Sequence, residues 1–230
     1  MIPEDERLDL ILLGQAVRYQ SWVVDSFGGA LRGDILEIGG GVGNFTRWLA
    51  PLADRLMVAE PDPVMAAELA GRMPSEVDVR PIPVEGLEDS GERFDAVVAI
   101  NVLEHIADDR RALEVTRGLL RPEGRFCAFL PAHRALFGSL DERYGHLRRY
   151  TVPGTSELLR KTGFQVATCR YFNPVGAMGW WLAGRVLRER RLSRASVWIS
   201  ERVAVPVGRA LERFGPPPFG QSVLAVGIRP

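Results

Sequence analysis

A chain of 230 residues can bury one substantial core, and its 46% apolar content excludes a disordered composition. Lys+Arg and Asp+Glu balance at 29 each, which argues against a dedicated nucleic-acid binder with its basic excess. Lys161 is the single lysine, and the scattered arginines read as compositional bias, not as one binding face. Cys127 and Cys169 lack metal-ligand spacing and sit in apolar runs, as reduced thiols of a cytosolic protein would. Met1 to Arg7 is acidic and no long apolar run follows, so neither a signal nor a transit peptide is expected. No stretch approaches the ~18 apolar residues that span a bilayer, and a cytoplasmic location is the expectation.

Leu8 to Phe27 carries Leu10, Leu13, Ala16, Val17, Trp22 and Val23 at helical spacing, which predicts one amphipathic lead-in helix. Asp34–Ile38 reads as the first strand, followed by the glycine cluster 39–43 and a helix from Asn44 to Leu52. A second strand is predicted over Arg55–Glu60 and a helix over Pro61–Met73, with proline where a helix start tolerates it. Asp78–Val84 is a weak third strand whose Pro81 and Pro83 suit a sheet edge. Phe94–Asn101, Gly124–Leu130, Phe164–Phe172 and Ser222–Arg229 complete the strands, with helices over Asp109–Leu120 and Gly154–Thr162. This alternation predicts an α/β fold, its parallel sheet covered by helices on both faces. The expected plan is one domain: a helical lead-in (1–32), a core (33–173 and 220–230) and a helical insertion (174–219).

The glycine turn carries the cofactor argument. A strand, glycines and a helix start let a ligand approach the backbone and offer it free N–H groups. Gly39, Gly41 and Gly43 are spaced G-x-G-x-G, and Asn44 stands where a dinucleotide fingerprint needs its last glycine. Glu37, two residues before Gly39, would repel a pyrophosphate but suits an ammonium group. This disfavours a nicotinamide oxidoreductase.

Glu37-Ile38-Gly39-Gly40-Gly41-Val42-Gly43 resembles motif I of class I S-adenosylmethionine-dependent methyltransferases. Phe94-Asp95-Ala96-Val97-Val98 with Asn101-Val102-Leu103-Glu104-His105-Ile106 resembles the family's fourth motif, and Leu119 to Arg125 its next turn, with Glu123 replacing a glycine. The resemblance covers Gly33 to Phe172 and resumes at the last strand. It is closest to small-molecule, ubiquinone/menaquinone-type members, and implies a Rossmann-like, seven-stranded, mostly parallel sheet. The implied cofactor is S-adenosylmethionine, with S-adenosylhomocysteine as product. By this resemblance Glu37 lies near the methionyl amine, Gly39 and Gly41 line the cofactor with Asn44, and Glu60 with Pro61 receives the ribose hydroxyls. Asn101 and Val102 border the cofactor. The adenine contact departs from the common pattern, leaving the Val84 backbone or the Glu85 carboxylate.

Methyl transfer requires positioning, exclusion of water and, for a hydroxyl or ammonium acceptor, a base. Histidine is the natural base near neutrality, and the chain has His105, His133 and His146. His105 follows the fourth strand, either as a catalytic group or as support for the turn. His146 is the first choice, with Tyr150 or Asp141 orienting it or the acceptor. His133, Asp141, Arg148 and Arg149 are candidate acceptor contacts, the arginines alternatively forming salt bridges that tie the loop down. The pair Glu104-His105 alone does not argue for a metal, and none is expected.

The insertion places Trp180-Trp181, Leu182, Val186 and Leu187 before Arg188, Arg190, Arg191 and Arg194. It reads first as a lid or homodimer surface, and second, over 178–194, as a helix lying peripherally on a membrane. A second helix is predicted over Val197–Phe214, bent at Pro206. The expected function is methyl transfer to O or N of a small-molecule, natural-product or lipid- or sugar-linked acceptor. A non-methylating cofactor-binding relative is the alternative, and nucleic acid is not an expected partner.

Overall fold

The computed structural model describes residues 4–189, 191 and 193–230. Seven strands form one sheet in the order β3-β2-β1-β4-β5-β7-β6. β1 (Asp34–Ile38), β2 (Arg55–Ala59), β3 (Asp78–Arg80), β4 (Phe94–Ile100) and β5 (Leu120–Pro131) run parallel. β7 (Ser222–Ile228) runs antiparallel to both β5 and β6 (Gln165–Phe172). The sheet is therefore the seven-stranded, mostly parallel one that the resemblance implies, and the antiparallel β7 departs from the parallel sheet expected from alternation alone.

The central strands are nearly continuous apolar runs because both of their faces are covered. Leu36, Met57, Val97 and Phe126 join one core layer, and Ile35, Leu56, Val98 and Phe129 the other, following the two-residue alternation of a strand. Residues of α5 (Asp109–Leu119) and α7 (Val152–Lys161) fill the first layer, and those of α2 (Val17–Asp25) the second.

Several elements differ from the predicted spans. The lead-in is two helices, α1 (Glu4–Leu13) and α2, broken at Gly14, where a Cβ would sit 2.8 Å from Asn44 Oδ1 and 2.9 Å from the Ile11 carbonyl. The helix after the glycines shrinks to α3 (Thr46–Leu49) and a 3₁₀ turn over Ala50–Leu52, because Pro51 cannot continue the ladder. The edge strand β3 stops at Arg80, before Pro81 and Pro83, and Val84–Leu87 is a 3₁₀ turn. α4 (Pro63–Arg72) starts two residues later than the predicted Pro61, because the Asp62 carboxylate caps it by accepting from the Val64 and Met65 N–H groups.

The insertion is helical, as expected. α8 (Pro174–Trp181) runs into a wide π-type turn over Leu182–Val186. α9 (Arg194–Ile199) continues through a second such turn, Ser200–Ala204, into α10 (Val205–Glu212). The irregularity expected at Pro206 falls in the turn before it, since proline lacks an N–H and its ring crowds the preceding carbonyls. A Cβ on Gly208 would lie 2.8 Å from the Trp22 ring, so α10 packs tightly against α2. Among the described residues no helix is long and apolar enough to cross a membrane. Arg190 of the predicted arginine cluster lies outside the described residues, as do Met1 to Pro3 of the lead-in.

Candidate active site

The order β2-β1-β4 puts the reversal of strand order between β1 and β4, and open α/β sheets bind ligands beyond the carboxyl ends of strands at such a point. The predicted cofactor residues meet there. Gly39 has φ +70°, and a Cβ on it would come within 2.6 Å of a Val102 methyl, so the turns after β1 and β4 touch only because position 39 lacks a side chain. Glu60 ends β2 and reaches across to the glycine turn, accepting from the Gly41 N–H at 2.8 Å and from the Asp62 N–H at 3.0 Å. Burial raises its pKa against those bonds. Glu37 is buried, accepts from the Thr46 hydroxyl at 2.6 Å, and is pushed up to about 7 by burial, with Thr46 opposing and Glu60 adding to the rise. A buried, poorly compensated carboxylate beside a glycine cradle suits a cationic ligand group, so these residues fit an amino-acid-bearing nucleoside.

Asn101 sits at φ 52° where β4 ends, a strained non-glycine conformation at the ligand edge. Val84 buries its side chain in the core, leaving its backbone and the half-exposed Glu85 carboxylate as groups for an adenine. Pro61 is exposed beside Glu60. Asn44 departs from the cofactor assignment: its side-chain amide donates to the Leu10 carbonyl at 2.7 Å, tying α1 to the glycine turn.

The long connection after β5 contains a 3₁₀ turn (Arg134–Leu136) and α6 (Ser139–Arg143), then folds back onto β4. The Leu147 N–H donates to the Glu104 carbonyl at 2.8 Å, which pins the loop over the Leu103–His105 turn. His146 Nδ1 lies 2.7 Å from Asp141 Oδ1. Asp141 can only accept there, so Nδ1 carries a hydrogen, and in the neutral ring Nε2 has the free lone pair. That Nε2 is 3.9 Å from Glu104 Oε1, and the His146 ring meets the His105 ring edge-on at 5.0 Å.

Two buried carboxylates of this half behave oppositely. Asp141 is fully buried and accepts from His146, from Arg149 at 2.7 and 3.1 Å, from the Gly138 N–H at 3.0 Å and from Trp180 Nε1 at 3.3 Å. Burial alone would raise it; the bonds from His146 and Arg149 outweigh burial and hold it at about 2. Glu104 is equally buried, but neither of its carboxylate oxygens has a hydrogen-bond partner among the described residues. Burial lifts it to about 7, with His146 opposing. Desolvation, followed by repulsion from His146, lowers the pKa of His105.

Several predicted acceptor contacts are structural. The Arg149 side chain is 1% exposed, clamps Asp141, donates to the Ala132 carbonyl and lies over the Trp180 ring at 5.3 Å. Arg148 donates to the Ala107 carbonyl and pairs with Asp109 at 2.9 Å. Both follow the salt-bridge alternative. Tyr150, expected to orient His146, donates its hydroxyl to Asp109 at 2.9 Å instead, and burial raises its pKa further. His133 stacks on Tyr171 of β6 at 4.4 Å, and its buried Nε2 has no partner among the described residues. Asp141, the other predicted acceptor contact, has its carboxylate turned to His146, Arg149, Gly138 and Trp180.

Sequence reasoning missed Trp180, which joins the insertion to Asp141, and Thr46, which holds Glu37; neither belongs to a motif. It also passed over Glu104 as a group in its own right. Glu104, His105 and His146 bring one donor atom each within 4.8 Å of one another, a set that could seat a divalent cation. The Glu-His pair alone carried no such argument; the loop adds the third donor.

A methyltransferase domain model matches residues 36–126. The ubiquinone biosynthesis O-methyltransferase of Cereibacter sphaeroides is 30% identical over 171 residues, covering 66% of this chain and 69% of the relative. That of a Methylobacterium species is 36% identical over 97 residues, covering 41% of this chain and 39% of the relative. Among solved structures, the N-methyltransferase NodS of Bradyrhizobium japonicum in complex with S-adenosyl-L-homocysteine superposes with a TM-score of 0.61 at 16% identity, covering 92% of this chain and 86% of that one. An S-adenosylmethionine-dependent methyltransferase of Mesorhizobium loti gives a TM-score of 0.63 at 17% identity, covering 91% and 98%. At such identities these two likenesses speak to the fold.

Proposed function

Because the chain belongs to the class I S-adenosylmethionine-dependent methyltransferases, we propose that it methylates a hydroxyl or amine of a small-molecule or lipid-linked acceptor, with His146 as the proton acceptor. The observation that carries this reading is His146 itself: Nδ1–H held by a fully ionised Asp141, and Nε2 unbonded beside the carboxyl ends of the strands.

When bound, S-adenosylmethionine supplies a methyl group already activated by its sulfonium. Glu37 would hold the methionyl ammonium. Glu60 would accept the ribose hydroxyls, because its two oxygens have lone pairs left beyond the Gly41 and Asp62 bonds. His146 Nε2 would take the proton as the acceptor's lone pair bonds to the methyl carbon and the carbon–sulfur bond breaks, its electron pair staying on sulfur to leave S-adenosylhomocysteine. Asp141 keeps the imidazole in the productive tautomer and stabilises the imidazolium that forms. Arg149 and Trp180 fix Asp141 in turn. His105 flanks His146 and narrows the approach.

A hydroxyl acceptor fits this device better than an amine that is already neutral, since only the former must lose its proton to His146. The O-methyltransferase relatives support the same preference. Labelled methyl transfer to catechol, sugar-hydroxyl and amine probes tests this: label on a hydroxyl probe, abolished by His146→Ala, is expected. Label on amines alone, insensitive to that substitution, would exclude it.

The unpartnered Glu104 oxygens favour one second reading, in which Glu104, His105 and His146 hold a divalent cation that orients the acceptor. Activity that requires added Mg²⁺ or Mn²⁺ and vanishes in Glu104→Gln would favour it. Full activity in chelator would exclude it.

A further inference from the structure

We infer that the outer surface of the insertion docks on an anionic lipid bilayer. The inference extends the lipid-linked acceptor reading, but its observations are separate from the catalytic ones. Ile199, Val203, Val207 and Leu211 recur every fourth residue along α9 and α10, and each is 44–54% exposed. Trp198 is 60% exposed and Phe214, just past α10, is 92% exposed. On the neighbouring α8 and the turn after it, Met178, Trp181 and Leu187 are also exposed, as are Leu8 and Ile11 of α1. So many large apolar side chains on one insertion exceed the scattered exposure of an ordinary surface.

Charge identifies the occupant. Between the start of α2 and α9 with the turn that follows it lies an open hollow of about 490 Å³ lined by Arg18, Arg194 and Arg202, with Val17 and Trp198 beside them. None of these guanidiniums has a hydrogen-bond acceptor among the described residues. The one acid of the hollow, Glu201, is spent on the Arg18 and Tyr19 backbone N–H groups at 2.8 and 2.9 Å. Glu212 likewise turns inward, to Arg170 and the Asn173 N–H. The face therefore offers apolar side chains and cations together, the pattern of a surface that enters the headgroup region of an anionic membrane. A two-fold dimer through the same face would set like charges against each other.

The inner sides of the same elements touch the catalytic loop. Trp180 reaches Asp141 while the adjacent Trp181 is exposed. Asp9 accepts from the Tyr144 hydroxyl at 3.0 Å, while Leu8 and Ile11 on the same helix are exposed. Gly138 and Gly184 pack so closely that a Cβ on Gly138 would lie 2.6 Å from the Gly184 carbonyl oxygen. Docking of this face would thus hold the acceptor entrance against the lipid surface.

Co-sedimentation of the full chain with phosphatidylcholine vesicles, with and without phosphatidylglycerol, tests the inference. Binding only to the anionic vesicles is expected, weakening as salt is raised. Arg194→Glu and Arg202→Glu should each lower partitioning roughly tenfold, and Trp198→Glu/Val203→Glu should abolish it. All variants should keep wild-type S-adenosylhomocysteine binding, which certifies folding. No binding of the wild type to anionic vesicles would overturn the inference. So would a wild-type dimer in sedimentation equilibrium that Trp198→Glu converts to monomer, since the face would then be a self-interface. Neither outcome depends on methyl transfer, so failure here is separable from failure of the proposed reaction.

Discussion

The two halves of the site are built differently. On the cofactor side each buried carboxylate is only partly compensated: Glu37 accepts one hydrogen bond, from Thr46, and Glu60 two, from Asp62 and Gly41. On the acceptor side the hydrogen bonds are unevenly shared: Asp141 gathers His146, Arg149 and Gly138 from its own loop and Trp180 from the insertion, while nearby Glu104 gathers none among the described residues. The first half is a cradle in which the ends of β1, β2 and β4 meet, its carboxylates left with lone pairs for a ligand. The second is a polar network with one member saturated and one left open, and that imbalance is what a reacting group can exploit.

Perturbing each half in turn sharpens this contrast. The largest expected effect is on chemistry: His146→Ala should lower kcat by roughly 100- to 10,000-fold while S-adenosylhomocysteine binding is retained, as single-turnover rates and calorimetry would read. Next is the saturated network. Arg149→Leu leaves Asp141 buried without its main partner and should cost about 3–5 kcal/mol of stability in denaturant unfolding; a loss below ~1 kcal/mol would mean that Asp141 is not dependent on the clamp.

Glu104 should respond to pH. Its pKa rises from 4.5 unfolded to about 7 folded, so its stabilising contribution is fully present below pH 4.5 and is lost as pH rises through about 7. Glu104→Gln should therefore gain roughly 2–3 kcal/mol of stability at pH 8 relative to its effect at pH 4.5. A pH-independent difference would show that Glu104 is not buried as a bare carboxylate. On the cofactor side, Gly39→Ala should cost about 1–3 kcal/mol through its positive φ and the Val102 contact. Adding Val102→Ala should recover only the steric part, read as a partial return of Tm and of S-adenosylhomocysteine affinity.

Legibility in the sequence follows the same division. The cofactor half could be read because Gly39, Glu37 and Glu60 act at or beside strand ends, where local spacing fixes position. The central strands were legible because burial on both faces makes them continuous apolar runs. Gly14, by contrast, broke a helix that apolar spacing alone predicted as continuous, because the break serves a tertiary contact with Asn44. In the acceptor half, His146 and Asp141 were legible as reactive types in a long loop. Their mutual bond, and the diversion of Tyr150 to Asp109 and of Arg149 to Asp141, depend on how that loop folds back over β4. Trp180 was invisible as a site residue because its role arises from an insertion more than thirty positions downstream.

The central claim is that the glycine turn and Glu60 hold S-adenosylmethionine, and calorimetric titration tests it most directly. S-adenosylmethionine and S-adenosylhomocysteine should bind with micromolar affinity, Glu60→Ala should abolish that binding, and NAD should produce no heat. Absence of binding by both sulfur nucleosides to folded protein, or equal binding by the Glu60→Ala variant, would contradict the account.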